Sequence, residues 1–214
     1  MKKLAVRDLG RMPYGEALEI QDQANRSRYD EEIPDTLFFV EHPPVITLGR
    51  STSEDDILIS SEERSRLGVE VHRISRGGLA TYHGPGQLVG YPIVHLYEQA
   101  VHIKRFITAL ERMFVDMLGE LYNVDAHLDA ENRGVWVGSR KITAVGIAVR
   151  NRVTMHGFAF NVTTDLSHFD WIIPCGIRDR GVTSLEECTG RTVNLADVRA
   201  QVTRAFRGTF GYTD

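Results

Sequence analysis

Cysteine is scarce: Cys175 and Cys188 are the only two in 214 residues. Two thiols cannot build a disulfide framework in a chain of this length. CxxC and HExxH patterns are absent and the eight histidines lack ligand spacing, so no metal site is expected. There is no run of about 18 apolar residues, the length a membrane span needs. The opening MKKLAVRDLG has two lysines but no apolar core, and Asp8 interrupts it. Neither a secretory nor an organelle signal is read there, and the expected location is cytoplasmic. Positive charge is not in excess, since 25 Lys and Arg face 29 Asp and Glu, for a formal net charge of −4. That balance gives nucleic-acid binding no support. The common nucleotide and hydrolase loops are missing too. GPGQLVG at 84–90 is not GxGxxG, because its third glycine comes one residue late, and neither GxxxxGK[ST] nor GxSxG occurs. Repeats, low-complexity tracts and linkers are also absent.

What is present is a chain with 42% hydrophobic residues, enough for a sizeable core, and we expect a single domain over 1–214. Its most informative stretch is RGGLATYHGPGQ, Arg76 to Gln87, which holds four glycines, one proline, one histidine and one arginine. The segment cannot be a helix and is too glycine-rich for a good strand. Strand-like residues flank it, 69–74 before and 88–94 after. Two readings are open: a loop that holds a ligand, with Arg76, Thr81, Tyr82 and His83 in reach of it, or a long hairpin connection.

Elsewhere the patterns predict strands at 4–8, 36–41 and 45–48, and a helix from Tyr14 to Arg28. Ser60 or Ser61 reads as a helix start and Gly68 as its stop. The longest predicted helix runs from Val101 to Tyr122. Its apolar face is Phe106, Leu110, Met113, Phe114, Met117, Leu118 and Leu121. An antiparallel meander follows at 134–137, 141–149 and 153–160. A last helix spans 195–206, with Asn194 as its N-cap. Hairpins and helices in separate runs indicate an α+β fold.

Three places carry chemistry. Cys175 sits in a Pro174-Cys175-Gly176 bend after Ile172-Ile173. Proline fixes one side of the bend and glycine frees the other, so the thiol reads either as a presented nucleophile or as a small buried hydrophobe. Cys188, between Glu187 and Thr189, reads as structural because its acidic neighbours oppose a thiolate. Lys141 opens a strand, and is either a solvated lysine or an inward amine that pairs with a thiolate and then accepts a proton. Ala144-Val145-Gly146 and Gly157-Phe158-Ala159 put small residues on neighbouring strands, as the floor of a slot or for tight packing.

Four segments occur in order: RGGxxTYHGPGQ at 76–87, SRKITAVGIAV at 139–149, HGFAFNV at 156–162 and PCGIxxxGVTSL at 174–185. Together they resemble the octanoyl transferase family of lipoate biosynthesis, the lipoyl(octanoyl) transferases, from about residue 4 to residue 208. The resemblance implies the biotin/lipoate ligase-like fold, with a mixed, mostly antiparallel main sheet, a smaller second sheet and flanking helices. It implies transfer of an octanoyl group from octanoyl-acyl carrier protein to a lysine of lipoyl domains, those of 2-oxoacid dehydrogenases and the glycine cleavage H protein. Cys175 and Lys141 are then the catalytic pair. Arg76, Gly77, Gly78, Leu79, Ala80, Thr81, Tyr82, His83, Ala144, Val145, Gly146, Gly157, Phe158 and Ala159 line the acyl site. No cofactor or metal is implied. A local basic patch for the acidic carrier is expected among Arg50, Arg73, Arg140, Arg150, Arg178 and Arg180. The alternative is an ATP-dependent lipoate or biotin protein ligase on the same fold.

Overall fold

The computed structural model describes residues 2–98, 101–173 and 180–213. Within them a main sheet of eight strands carries helices on both faces, and a three-stranded sheet stands beside it. The chain opens with β1 (Lys2–Arg11) and α1 (Tyr14–Tyr29), then β2 (Asp35–Glu41) and β3 (Val45–Leu48). After α2 (Ser61–Leu67) come β4 (Glu70–Arg73), β5 (Ala80–His83) and β6 (Gln87–Ile93). Helix α3 (Ile103–Tyr122) leads to β7 (Ala126–Leu128), β8 (Val135–Val137), β9 (Arg140–Arg150) and β10 (Val153–Asn161). Two helices, α4 (Leu185–Thr189) and α5 (Leu195–Phe210), and the short β11 (Tyr212–Thr213) close the chain.

The main sheet runs β11-β1-β2-β6-β10-β9-β8-β7 and the small one β4-β3-β5. In the main sheet only the β11–β1 and β1–β2 pairs are parallel. The rest are antiparallel, so the expected mixed, mostly antiparallel sheet is found, together with the smaller one. β6 and β10 are buried along their whole length, as central strands covered on both faces must be, so they lack the alternation of a half-exposed strand.

α3 forms because its apolar residues recur at three- and four-residue spacing. Phe106, Leu110, Met113, Phe114, Met117 and Leu118 are buried, whereas Leu121, predicted on the same face, is exposed. With Val198, Val202 and Phe206 of α5 they cover one face of the sheet. Ala17 and Ala24 of α1 pack on the other. Ser60 caps α2 by accepting from the Glu63 amide, and Gly68 closes it at φ 66°; Asn194 caps α5 as predicted. Among the described residues no helix is long and apolar enough to cross a membrane.

One reading of the sequence needs correction. The glycine-rich stretch is not all loop: Ala80–His83 is a strand, paired antiparallel with β3 from Leu48↔Ala80 to Val45↔His83. Pairing with a partner far away in sequence, and burial against it, override the weak local preference.

Candidate active site

A cavity of about 260 Å³ opens where the small sheet meets β9 and β10. Its wall includes Arg76, Gly77, Gly78, Leu79, Ala80, Thr81 and His83 from the glycine-rich stretch, Lys141, Ala144, Val145 and Gly146 from β9, and Gly157, Phe158 and Ala159 from β10. Of the site residues expected from sequence, Tyr82 is described but lies outside this lining. It sits on the other side of β5, where its hydroxyl meets His168 Nδ1 at 2.8 Å. Cys175 lies outside the described residues, as does Arg178.

Both small-residue positions are enforced by close approach. Gly146 and Gly157 face each other across β9 and β10. A Cβ on Gly146 would come 2.9 Å from Arg76 Cδ, and one on Gly157 would come 2.0 Å from the Gly90 carbonyl oxygen. Gly146 therefore accommodates the Arg76 side chain, while Gly157 permits tight strand packing. The close approach at Gly146 is to the chain's own Arg76, and at Gly157 to the neighbouring strand β6.

A polarised chain of hydrogen bonds runs under the cavity. Arg76 Nη2 donates to the carbonyl and the hydroxyl of Thr47, both at 3.0 Å. Thr47 Oγ1 lies 3.4 Å from His83 Nε2, and His83 Nδ1 lies 2.8 Å from Gln87 Oε1. The Gln87 amide nitrogen donates to the Tyr82 carbonyl and to Asn161 Oδ1, and Asn161 donates to the Thr183 carbonyl. These two acceptors fix the Gln87 amide nitrogen and turn its Oε1 to His83, so His83 carries its proton on Nδ1 and accepts at Nε2. Burial, reinforced by His42 and Arg76, pushes the His83 imidazole down to about 3. It is a neutral, fully engaged ring at pH 7.

Tyr14, Ile74, Val89, Tyr91, Glu131, Asn132 and Arg133 also line the wall without having been expected there, and so does His156, the first residue of the HGFAFNV segment. Tyr14 stacks on His83 with ring centroids 6.1 Å apart. His156 lies between Tyr14 and Ser75, at 3.4 and 3.3 Å, and holds a left-handed backbone at φ 58° inside a strand. In the sequence it is marked by its place at the head of HGFAFNV, just before Gly157. Burial, then the Arg76 charge, lowers its imidazole to about 4. Glu111 of α3 is buried and fixes the far wall, accepting from the Gly134 amide at 2.7 Å and from Arg133 at 2.9 Å.

Lys141 is buried. Its Nζ lies 4.8 Å from the centre of the Trp136 ring. Its strand also touches the chain that leaves the cysteine segment. β10 pairs with β9 only as far as Phe160↔Thr143. At Lys141 the neighbour is instead residues 181–183: the Lys141 amide donates to the Gly181 carbonyl, and the Thr183 amide donates to the Lys141 carbonyl, both at 3.0 Å. On the other side of the segment, Ile173 donates to the Asp56 carbonyl at 2.8 Å. Among the described residues no cluster of His, Cys, Asp or Glu could hold a metal ion. Of the arginines expected to form a basic patch, Arg140, Arg150 and Arg180 pair with Glu187, Asp22 and Asp129, which reduces the positive field they offer.

The architecture is that of lipoate and biotin ligases. A bi-partite lipoate protein ligase from Thermoplasma acidophilum, described together with its E2 lipoyl domain as part of an archaeal lipoylation system, superposes with a TM-score of 0.78 at 18% identity, covering 100% of this chain and 86% of that one. The biotin protein ligase of Aquifex aeolicus gives 0.55 at 14% identity, over 99% of this chain and 70% of that one. The family model for the lipoyl protein ligase A/B catalytic domain matches residues 13–207, and the chain belongs to that family. An octanoyltransferase of Caldicellulosiruptor saccharolyticus is 49% identical over 210 residues, 98% of this chain and 89% of the relative.

Proposed function

We propose that this protein is an acyltransferase that moves an octanoyl group from octanoyl-acyl carrier protein to a lysine of a lipoyl domain, through a thioester on Cys175. The observation that carries the reading is the placement of Lys141. It lines the cavity while its backbone is bonded to residues 181–183, the chain just beyond the cysteine segment. An ammonium in that position favours a thiolate on a nearby cysteine. Relatives over the full length bear the octanoyltransferase name.

The steps balance with Lys141 as the proton store. The Cys175 thiolate attacks the thioester carbonyl, the carrier's thiolate leaves, and that thiolate takes a proton from the Lys141 ammonium. The substrate lysine amine then attacks the Cys175 thioester and gives its proton to the Lys141 amine. The Cys175 thiolate is expelled, which restores the starting pair. Backbone amides of the glycine-rich stretch are the candidates to steady the oxyanion. The first exchange is nearly even in energy, so it needs no ATP, and amide formation drives the second. His83, neutral and engaged at both nitrogens, holds the floor and takes no proton.

The cavity suits a short acyl chain. Its volume of about 260 Å³ lies just below the usual range for drug-sized ligand sites, and its wall has Ile74, Leu79, Val89, Val145 and Phe158 among its apolar members. Six buried methylenes at ~0.8 kcal/mol each offer about 5 kcal/mol. With these partners, the reading keeps the expected cytoplasmic location. The test supplies a lipoyl domain with either octanoyl-acyl carrier protein or free octanoate and ATP. Octanoylation with the first donor alone, lost in Cys175→Ala, is expected. Product that needs ATP and survives Cys175→Ala would establish a ligase instead.

A further inference from the structure

Lys141 sits at an irregularity in the sheet. β8 and β9 pair Val135 with Thr143, but then Trp136 with Lys141 and Val137 with Arg140, so the register slips between Val135 and Trp136. β9 carries one extra residue there, Ile142. Without the slip Trp136 would face Ile142, and Lys141 would face Val137. A bulge of this kind beside a functional site re-aims a side chain. Here it makes Trp136 the cross-strand neighbour of Lys141.

The hydrogen bonding brings the two side chains closer still. The N–H and C=O of Lys141 are both taken by residues 181–183, so both point away from β8. That makes Trp136–Lys141 a non-hydrogen-bonded pair, the type in which facing side chains lie nearest. The Trp136 ring is buried, and its indole N–H donates to the Asn132 carbonyl at 3.1 Å, which fixes the plane of the ring. A second cation uses the same ring: the guanidinium carbon of Arg180 lies 5.2 Å from its centre. Arg180 also pairs with Asp129, whose Oδ1 accepts from the Glu131 and Asn132 amides. The wall from Asp129 to Trp136, the lysine, and the first described residue after the cysteine segment thus meet on one indole.

We propose that Trp136 is the positioning residue for Lys141. Its face holds the ammonium at the cavity wall, and by sharing the ring with Arg180 it ties the lysine's direction to the chain leaving the Cys175 segment. The inference rests on the role given to Lys141 above. Simple packing of an aromatic ring would not depend on the ring's negative face, whereas holding a cation does.

The test is single-turnover acylation by octanoyl-acyl carrier protein, followed by intact mass, for wild type, Trp136→Phe and Trp136→Leu, with melting temperatures in parallel. Phe keeps a weaker ring face and Leu keeps none, and both lose the indole N–H. We expect the acylation rate at saturating donor to fall about threefold for Phe and about tenfold or more for Leu. The half-saturating donor concentration should stay within about twofold, and the two variants should melt alike. Equal rates for Phe and Leu, or rates that simply follow melting temperature, would overturn the inference. Should the Leu variant not fold, fluorinated tryptophans in a Trp171→Phe background weaken the ring face without changing its shape. The logarithm of the rate should then fall with each added fluorine, and a flat series would overturn the proposal. A wild-type protein that takes up no octanoyl group would instead refute the proposed function, so the two failures are separable.

Discussion

Thr47→Val and Thr143→Val are the same chemical change at two fully buried positions, and the structure predicts opposite results. The Thr47 hydroxyl accepts from Arg76 at 3.0 Å and faces His83 Nε2 at 3.4 Å. Valine keeps the shape but removes a hydrogen bond to a charged group, worth roughly 1.5–3 kcal/mol, and strands the His83 acceptor. Arg76 retains the Thr47 and Gly77 carbonyls at 3.0 and 3.2 Å, which softens the loss. A net destabilisation of about 2 kcal/mol follows, or about 4–8 °C in melting temperature for a chain of this size. The Thr143 hydroxyl is buried without a partner among the described residues, so its removal relieves a desolvation penalty, and the change is neutral or stabilising by up to about 1 kcal/mol. Urea unfolding at unchanged slope measures both. Thr47→Ser, which keeps the hydroxyl, should lie within about 1 kcal/mol of wild type. Equal effects at the two sites, or a larger loss at 143, would refute the reading of the floor as a connected hydrogen-bond chain.

Acid should destabilise the fold well above the carboxylate range. Burial holds His42 and His156 down to about 4 and His83 to about 3, below the unfolded value of about 6.5. The unfolded chain therefore binds more protons as pH falls past about 6.5, and stability is lost from there down to the folded values. Each histidine removes about 1.4 kcal/mol by pH ~5.5, about 4 kcal/mol for the three; urea midpoints that match at pH 7.5 and pH 5.5 would contradict this. Gly157→Ala should cost about 3 kcal/mol or more, because the new Cβ meets the Gly90 carbonyl and Pro92 Cδ at 2.0 and 2.6 Å and neither can yield. Gly146→Ala meets the Arg76 side chain instead, and should raise the donor KM more than it lowers the melting temperature; kinetics beside thermal melts separate the two. Glu111→Leu should destabilise by about 2 kcal/mol through the orphaned Gly134 amide and slow acyl transfer, whereas Glu111→Gln should restore most of both.

Much of this arrangement is legible in the sequence wherever the signal is local. The stripe along α3, the Ser60 cap with Gly68 behind it, and Asn194 ahead of α5 each follow from residues within a turn or two. β5 was hidden because only its pairing with β3 makes a strand of glycine-flanked residues. α4, five residues long, and β11, two, are too short for periodicity to register. The glycine-rich stretch and the small residues of β9 and β10 left a ligand site and plain packing both open in the sequence, and the fold brings them to one cavity wall. The rings beneath it did not announce themselves: Tyr14 and Tyr91 come from elements that meet only in the folded chain, and Glu111 reads in sequence as an ordinary polar helix position. The Trp136–Lys141 pairing depends on a one-residue slip in register that no pattern in either strand reveals.

The most direct test of the account is intact mass after mixing with octanoyl-acyl carrier protein, for wild type, Cys175→Ala and Lys141→Ala. Wild type should gain one octanoyl group, mapped to Cys175 and lost when a lipoyl domain is added. The cysteine variant should gain none, and the lysine variant should gain it far more slowly. An adduct that persists without Cys175, or one formed at full rate without Lys141, would contradict the account.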